Sequence, residues 1–84
     1  MEASKVEKLI SGGIPGASVK AVDLQGGDHF EVTVVSNRFE GCSRVEQHRM
    51  VYSALGDAMR EGIHALTIQA FTPAEYEQVA SDGS

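Results

Sequence analysis

Several residue types are scarce in this sequence, and each shortage excludes a class of protein. There is one cysteine among 84 residues, so the chain cannot form an internal disulfide, and nothing indicates an oxidising compartment. No apolar run approaches the ~20 residues that a membrane-spanning helix needs. The N-terminus also lacks the basic-then-apolar pattern of a signal peptide. We therefore expect a cytoplasmic protein, or one whose transit peptide is absent from this sequence.

Basic side chains are scarce as well. Seven Lys and Arg stand against twelve Asp and Glu, which gives a net charge of −5 and no overall attraction to phosphate backbones. The nearest thing to a basic patch, Arg38, Arg44 and Arg49, is interrupted by Glu40 and Glu46. The sequence contains no lysine-bearing phosphate loop and no Gly-x-x-Gly segment between two helices. This composition disfavours binding of nucleotides or nucleic acids.

The length allows one domain, which we place at residues 1–80, followed by a short tail at residues 81–84. A domain of this size buries only about 60–65% of the surface that its unfolded chain exposes. It has little core in which to form a deep, dry substrate pocket. We therefore expect a protein that works at its surface, together with a partner.

Local patterns predict helices and strands in the order α-β-β-α-β-α. Three predicted helix starts match the Ser/Thr-x-x-Glu capping box, at Ser4, Ser43 and Thr72. The helices that follow are predicted at residues 4–11, 43–59 and 72–80, and Gly12-Gly13 ends the first of them. Apolar residues in alternation predict strands at residues 18–24, 29–36 and 65–71. The first two strands are joined by a short glycine-rich link and should form a hairpin.

The long, mostly helical segment between the second and third strands allows a crossover, so these two strands should be parallel. Parallel strands begin at the same edge of a sheet. His29 opens the second strand and His64 opens the third, so in neighbouring strands their Cα atoms would lie ~5 Å apart, or somewhat more with a register shift. The topology predicts this pair, although nothing about either residue alone suggests it.

The ordered set of motifs resembles the BolA-like family over nearly the whole chain. The features are a Val-Val-Ser strand end, Phe39-x-Gly41, His48-Arg49 followed by an apolar-Tyr pair, and Ile63-His64-Ala65-Leu66. The Gly-Gly-Asp-His-Phe segment at residues 26–30 resembles the branch that carries histidine rather than cysteine in this loop. The overall length is similar to that of the short IbaG-like members.

The resemblance implies an α+β fold: a single small domain whose three-stranded mixed sheet is packed by helices in the αββααβ order of class II KH domains. The sequence pattern adds a short C-terminal helix. The resemblance also implies a heterodimer with a monothiol glutaredoxin that shares a bridging [2Fe–2S] cluster. His29 and His64 match the family's proposed metal ligands. The glutaredoxin and glutathione would supply thiolates, and the chain alone is expected to hold no cluster.

Four other residues are candidates for partner contact or for support of the ligands: Phe39, Cys42, His48 and Arg49. His48 falls among apolar residues of the middle helix. If its role is only structural, it should be a mostly buried histidine with one nitrogen hydrogen-bonded. Cys42 stands where the family often has lysine, and Gln47 where it often has arginine. Both departures weaken a nucleic-acid role for this helix.

Three functions remain open at this level. The favoured one is a non-enzymatic partner of glutaredoxin in iron–sulfur trafficking or iron homeostasis, with His29 and His64 facing the cluster. The alternative is a nucleic-acid-binding transcriptional regulator that uses the KH-like fold, against which the acidic composition stands. The least favoured is a thiol-dependent enzyme. Cys42 precedes a helix, whose dipole can favour a thiolate, but no base is apparent beside it.

Overall fold

The computed structural model describes residues 1–82. Its elements, in chain order, are helix α1 (Ala3–Gly13), strands β1 (Ser18–Gln25) and β2 (His29–Val35), a 3₁₀ turn (Asn37–Phe39), helices α2 (Arg44–Leu55) and α3 (Ala58–Glu61), strand β3 (Ala65–Phe71) and helix α4 (Pro73–Asp82). The predicted α+β domain is confirmed, with its αββααβ order and short C-terminal helix. Helix α4 includes the first two residues of the predicted tail, and residues 83–84 lie outside the described part. None of the helices in residues 1–82 is long and apolar enough to cross a lipid bilayer.

The three strands form one mixed sheet in the order β1-β2-β3. Strands β1 and β2 are antiparallel, whereas β2 and β3 are parallel and pair from His29 with Ala65 to Val35 with Phe71. Helices α2 and α3 form the crossover between the parallel strands. Both parallel strands therefore begin at the same edge of the sheet, as predicted.

One face of the sheet forms the hydrophobic core together with α1 and α2. Strand β2 alternates between buried and half-buried residues, as a strand with one covered face should. Each large apolar side chain buried here stabilises the fold by about 1.5–3 kcal/mol relative to exposure. The central buried side chains are Phe30, Val32 and Val34 from β2, Val6 and Ile10 from α1, and Val51 and Leu55 from α2.

Two of the three predicted capping boxes are confirmed. At the start of α2, the backbone nitrogen of Glu46 donates to Ser43 Oγ, and that of Ser43 donates to Glu46 Oε1. Thr72 and Glu75 make the same pair of bonds at the start of α4. Each box satisfies two backbone donors that a helix start would otherwise leave without partners.

The box predicted at Ser4 is wrong. Helix α1 has Glu2 as its N-cap and no side-chain capping bond. Glu7, the expected capping glutamate, instead accepts a hydrogen bond through Oε2 from the backbone nitrogen of Ala21 at 2.8 Å. A tertiary contact with strand β1 has replaced the local one.

Two glycines act differently from the sequence prediction. Helix α1 continues through Gly13 to its C-cap Ile14, and a Cβ at Gly13 would collide with the Cβ of Ala54. Gly13 therefore permits the close approach of α1 and α2. The predicted helix at 43–59 is divided at Gly56, whose φ of +53° favours glycine. This division produces the two successive helices that the family resemblance implies.

The buried face of α2 does not include every apolar residue of the helix. Val45 and Tyr52 are exposed. Gln47 is buried instead, because its side-chain amide donates to the carbonyl oxygens of Phe39 at 3.2 Å and Cys42 at 3.4 Å. The hydrogen bonds compensate for the loss of water around the amide.

Candidate functional site

Two histidines lie side by side at the edge where β2 and β3 begin. His29 is the first residue of β2 and pairs with Ala65, the first residue of β3, so His64 directly precedes that strand. The carbonyl oxygen of Asp28 accepts hydrogen bonds from the backbone nitrogens of His64 at 2.7 Å and Ala65 at 3.2 Å. These bonds tie the residue before β2 to the start of β3. The predicted juxtaposition of the histidines is confirmed.

The imidazole rings of His29 and His64 are stacked, with centroids 5.3 Å apart and an interplanar angle of 18°. His64 is exposed and His29 is half-buried, so a partner can reach the pair from solvent. A neutral imidazole nitrogen is a good ligand for borderline metals such as iron. The pair can therefore offer nitrogen ligands to one metal centre outside the domain.

Among residues 1–82, no third ligand joins this pair. Across residues 1–82, no group of three or more His, Cys, Asp or Glu side chains is placed to hold a metal ion. In Rieske [2Fe–2S] centres, two histidines serve one iron and cysteine thiolates serve the other. The two histidines thus fit part of the ligand set of such a cluster.

The turn between β1 and β2 is held by one carboxylate. Asp23 Oδ1 accepts hydrogen bonds from the backbone nitrogens of Gln25 at 3.0 Å and Gly27 at 3.1 Å. The pairing of the two strands is irregular at this point, between Asp23 and Gln25. Asp28 and His29 directly follow this turn. The Asp23 carboxylate therefore holds the backbone just before His29 and before Asp28, whose carbonyl oxygen accepts from the backbone nitrogen of His64.

Cys42 lies at the opposite end of the sheet, beyond the C-terminal end of β2. The length of β2, about 20 Å, separates that end from the histidine edge. Cys42 Sγ donates to the carbonyl oxygen of Arg38 at 3.4 Å, and its backbone nitrogen donates to that of Phe39 at 3.1 Å. The thiol is half-buried. Its contacts are those of a loop residue, and it is not grouped with the histidines.

The other three candidates are also apart from the pair. Phe39 is only 1% exposed and belongs to the core. Its role in partner contact or in support of the ligands stays a prediction. Arg49 is exposed on α2 and lines a groove against α1 with Gly13 and Ser53. His48 is half-buried, and its Nε2 is buried without a hydrogen-bond partner among residues 1–82. The hydrogen bond predicted for one nitrogen of His48 is thus not found at Nε2.

One carboxylate has a shifted pKa, and it lies far from the histidines. The backbone N–H of Thr72, followed by its hydroxyl and the charge of Arg44, lowers the pKa of Glu75. Glu75 belongs to the cap of α4, which follows the C-terminal end of β3. This shift therefore concerns helix capping and has no bearing on metal binding.

Two groups at the histidine edge escape sequence analysis. The Asp28 carbonyl oxygen is a backbone atom, so no residue type signals its role. Met1 contacts the turn before His29 and the loop before His64, although 61 positions of sequence separate it from Gly62 in that loop. Only the fold brings these groups together.

The family model described as "BolA-like protein" matches residues 15–75, which is most of the chain. The chain belongs to the BolA-like family. Over 83 residues it is 39% identical to the protein named BOLA2 of Arabidopsis thaliana, which covers 95% of this chain and 88% of that relative.

Two further relatives match over shorter segments of the chain. BolA-like protein 1 of Bos taurus is 50% identical over 50 residues, which are 60% of this chain and 37% of the cattle protein. The chain thus spans less than half the length of this relative. A protein of Vibrio cholerae named DNA-binding transcriptional regulator BolA is 47% identical over 51 residues, 61% of this chain and 48% of that protein.

Solved structures show the same fold. A bolA protein homologue from Coxiella burnetii superposes with a TM-score of 0.77 at 36% sequence identity, covering 92% of this chain and 97% of that one. The BolA-like chain therefore shares its whole architecture, and not only a local motif, with a solved member of the family.

Proposed function

We propose that this BolA-like chain is a non-enzymatic partner of a monothiol glutaredoxin, with which it shares a bridging [2Fe–2S] cluster in iron–sulfur trafficking or iron regulation. The observation that carries the proposal is the stacked, accessible pair His29 and His64 at one sheet edge. The family resemblance supports the identity of the cluster and the partner.

The ligand count favours a shared cluster over a resident one. Two imidazoles are fewer ligands than a [2Fe–2S] cluster needs, and residues 1–82 contain no group of three or more His, Cys, Asp or Glu side chains placed to hold a metal ion. A glutaredoxin cysteine and a glutathione thiolate would complete the set. When bound, the cluster would supply electron storage and a transferable iron–sulfur unit, while this chain would hold it through neutral imidazole nitrogens.

The architecture of the edge suits a transient partner. The His64 side chain is already exposed to solvent, so binding there does not require the domain to open. The backbone nitrogens of His64 and Ala65 donate hydrogen bonds to the Asp28 carbonyl oxygen, and these bonds, rather than packing of the imidazole, hold the His64 segment in place. A ligand held in this way is positioned before the partner arrives, which lowers the entropic cost of association.

The test is to titrate cluster-loaded monothiol glutaredoxin with the wild-type chain, His29→Ala and His64→Ala. Visible circular dichroism reports cluster sharing, and nitrogen hyperfine couplings in the reduced state report imidazole ligation. His64→Ala should abolish the mixed-ligand spectrum, and His29→Ala should weaken it. Thr67→Ala, also exposed on β3 but carrying no imidazole, is the matched control and should behave as wild type. Wild-type spectra and couplings in both histidine variants would refute the ligand assignment.

A DNA-binding function is the second candidate, because one relative carries that description in its name. The segments that precede β2 and β3 are unfavourable for it, since their charged side chains are mostly acidic: Asp23, Asp28, Asp57 and Glu61, against Arg60. Arg60 is also paired with Asp57 at 3.0 Å. Retention of the chain on a DNA column that weakens steeply with added salt would favour this candidate.

A further inference from the structure

Met1 lies between the two segments that carry the histidines. Its nitrogen donates a hydrogen bond to the carbonyl oxygen of Gly27 at 2.9 Å. Gly27 belongs to the β1–β2 turn, two residues before His29. Met1 is half-buried and packs against the edge of the hydrophobic core. The first residue of the chain is thus attached to the turn that delivers one histidine.

The side chain of Met1 contacts the loop that delivers the other histidine. A Cβ added to Gly62 would lie 2.7 Å from Met1 Cε and 3.4 Å from Met1 Cβ. The thioether side chain therefore rests directly on the Gly62 backbone, two residues before His64. Gly62 has a φ of −142°, which any residue can adopt. The backbone conformation therefore admits a side chain here, and a Cβ at Gly62 would have to displace the Met1 side chain.

These contacts complete a closed set of links. The turn is bonded to Met1 through Gly27, Met1 rests on Gly62, and the loop after Gly62 is bonded back to the turn through Asp28 and His64 at 2.7 Å. The parallel ladder begins one residue after His64 and does not include it. Outside the ladder, the placement of His64 depends on the Asp28 bond and on the loop that Met1 supports.

We propose that Met1 is a positioning residue that sets the relative placement of His29 and His64 by holding the turn and the loop together. Its consequence for cluster sharing rests on the function proposed above, whereas its effect on the stacked rings does not. Groups that orient metal ligands without touching the metal typically change metal affinity by about 10-fold to 100-fold when they are lost. We expect an effect at the lower end, because the Asp28 bond remains.

The test uses the full chain released from a cleavable N-terminal fusion, so that residue 1 can be varied. Met1→Gly removes the side chain but keeps the backbone donor to Gly27. Met1→Leu restores an apolar side chain of similar volume. Gly62→Ala perturbs the contact between Met1 and Gly62 by adding a methyl group at Gly62. Gly12→Ala is the matched control, because nothing lies within 4 Å of a Cβ added at that helical position.

Two readouts are measured on each variant. Nuclear Overhauser contacts and ring-current shifts between the two imidazoles report their stacking without any cluster, and titration with cluster-loaded glutaredoxin reports affinity. Met1→Gly and Gly62→Ala should both weaken the ring contact and lower the affinity about 10-fold. Met1→Leu and Gly12→Ala should match wild type.

Retention of the wild-type ring contact in Met1→Gly and Gly62→Ala would overturn the proposal. If Met1→Gly fails to fold, Gly62→Ala decides the question, because its backbone conformation suits alanine. If the wild-type chain does not share a cluster at all, the proposed function fails, while the ring contacts still test the role of Met1.

Discussion

The two ends of the parallel strand pair are built in different ways. At the C-terminal end, side chains are buried and bonded to backbone: Ser36 is 4% exposed and accepts from the Arg38 nitrogen, and Gln47 bridges two carbonyl oxygens. At the N-terminal end, the bonds join backbone atoms to one another and to the Asp23 carboxylate, and the histidine rings are left accessible. The polar side chains of Ser36 and Gln47 at the C-terminal end are hydrogen-bonded within the domain, whereas the two imidazoles at the N-terminal end remain available to a ligand.

The strongest way to sharpen this contrast is Phe39→Ala. The side chain is 1% exposed, so its removal should lower the free energy of unfolding by about 3–5 kcal/mol, in contrast to a small change for His64→Ala. Chemical denaturation of both variants measures the difference. Equal losses of stability would show that the histidine edge is as much a part of the core as the opposite end.

Gln47→Ala should have the next largest effect. It leaves the carbonyl oxygens of Phe39 and Cys42 without their side-chain donor in a buried place, which should cost about 1–3 kcal/mol. Gln69→Ala, exposed on β3, is the control and should change stability little. The same denaturation measurement applies, and a neutral Gln47→Ala would mean that water replaces the amide without loss.

A smaller, pH-dependent effect is expected at the α4 cap. Because the folded state lowers the pKa of Glu75 below its ordinary value of 4.5, the ionised carboxylate stabilises the fold above that value. This contribution is lost as the pH falls through the lowered folded-state pKa. The melting temperature of Glu75→Gln should therefore lie slightly below that of wild type near neutral pH, and the gap should close in acid.

The control for the cap is Glu77→Gln, an exposed neighbour on α4. A gap between wild type and Glu75→Gln that stays constant with pH would contradict the expected role of the charge. The cap lies beyond the C-terminal end of β3, so cluster sharing should be unaffected in either variant.

The smallest effect is expected for Cys42→Ser. The thiol is about one strand length from the histidine edge, and the partner can supply thiolates, so cluster sharing should remain intact. Cluster titration followed by circular dichroism provides the check. Loss of the shared-cluster spectrum in a folded variant would make Cys42 a ligand and would remove the distinction between the two ends.

Local sequence patterns correctly predicted features that depend on interactions between residues close in the sequence. The alternation in β2 identified its buried face, and the Ser43 and Thr72 boxes marked two helix starts correctly. The Ser4 box failed because Glu7 found a partner on β1, far away in sequence. The prediction of one continuous helix at residues 43–59 was wrong because Gly56 adopts a positive φ, which the composition of the segment does not reveal.

The histidine pair shows where sequence ends and tertiary structure begins. The crossover length and the rule for parallel strands were sufficient to place His29 and His64 at one edge. The stacking of the rings, the Asp28 carbonyl that binds both strand starts and the contact of Met1 with Gly62 were decided only by the folded chain. Periodicity and spacing act over a few residues, whereas these contacts join segments that are far apart in the sequence.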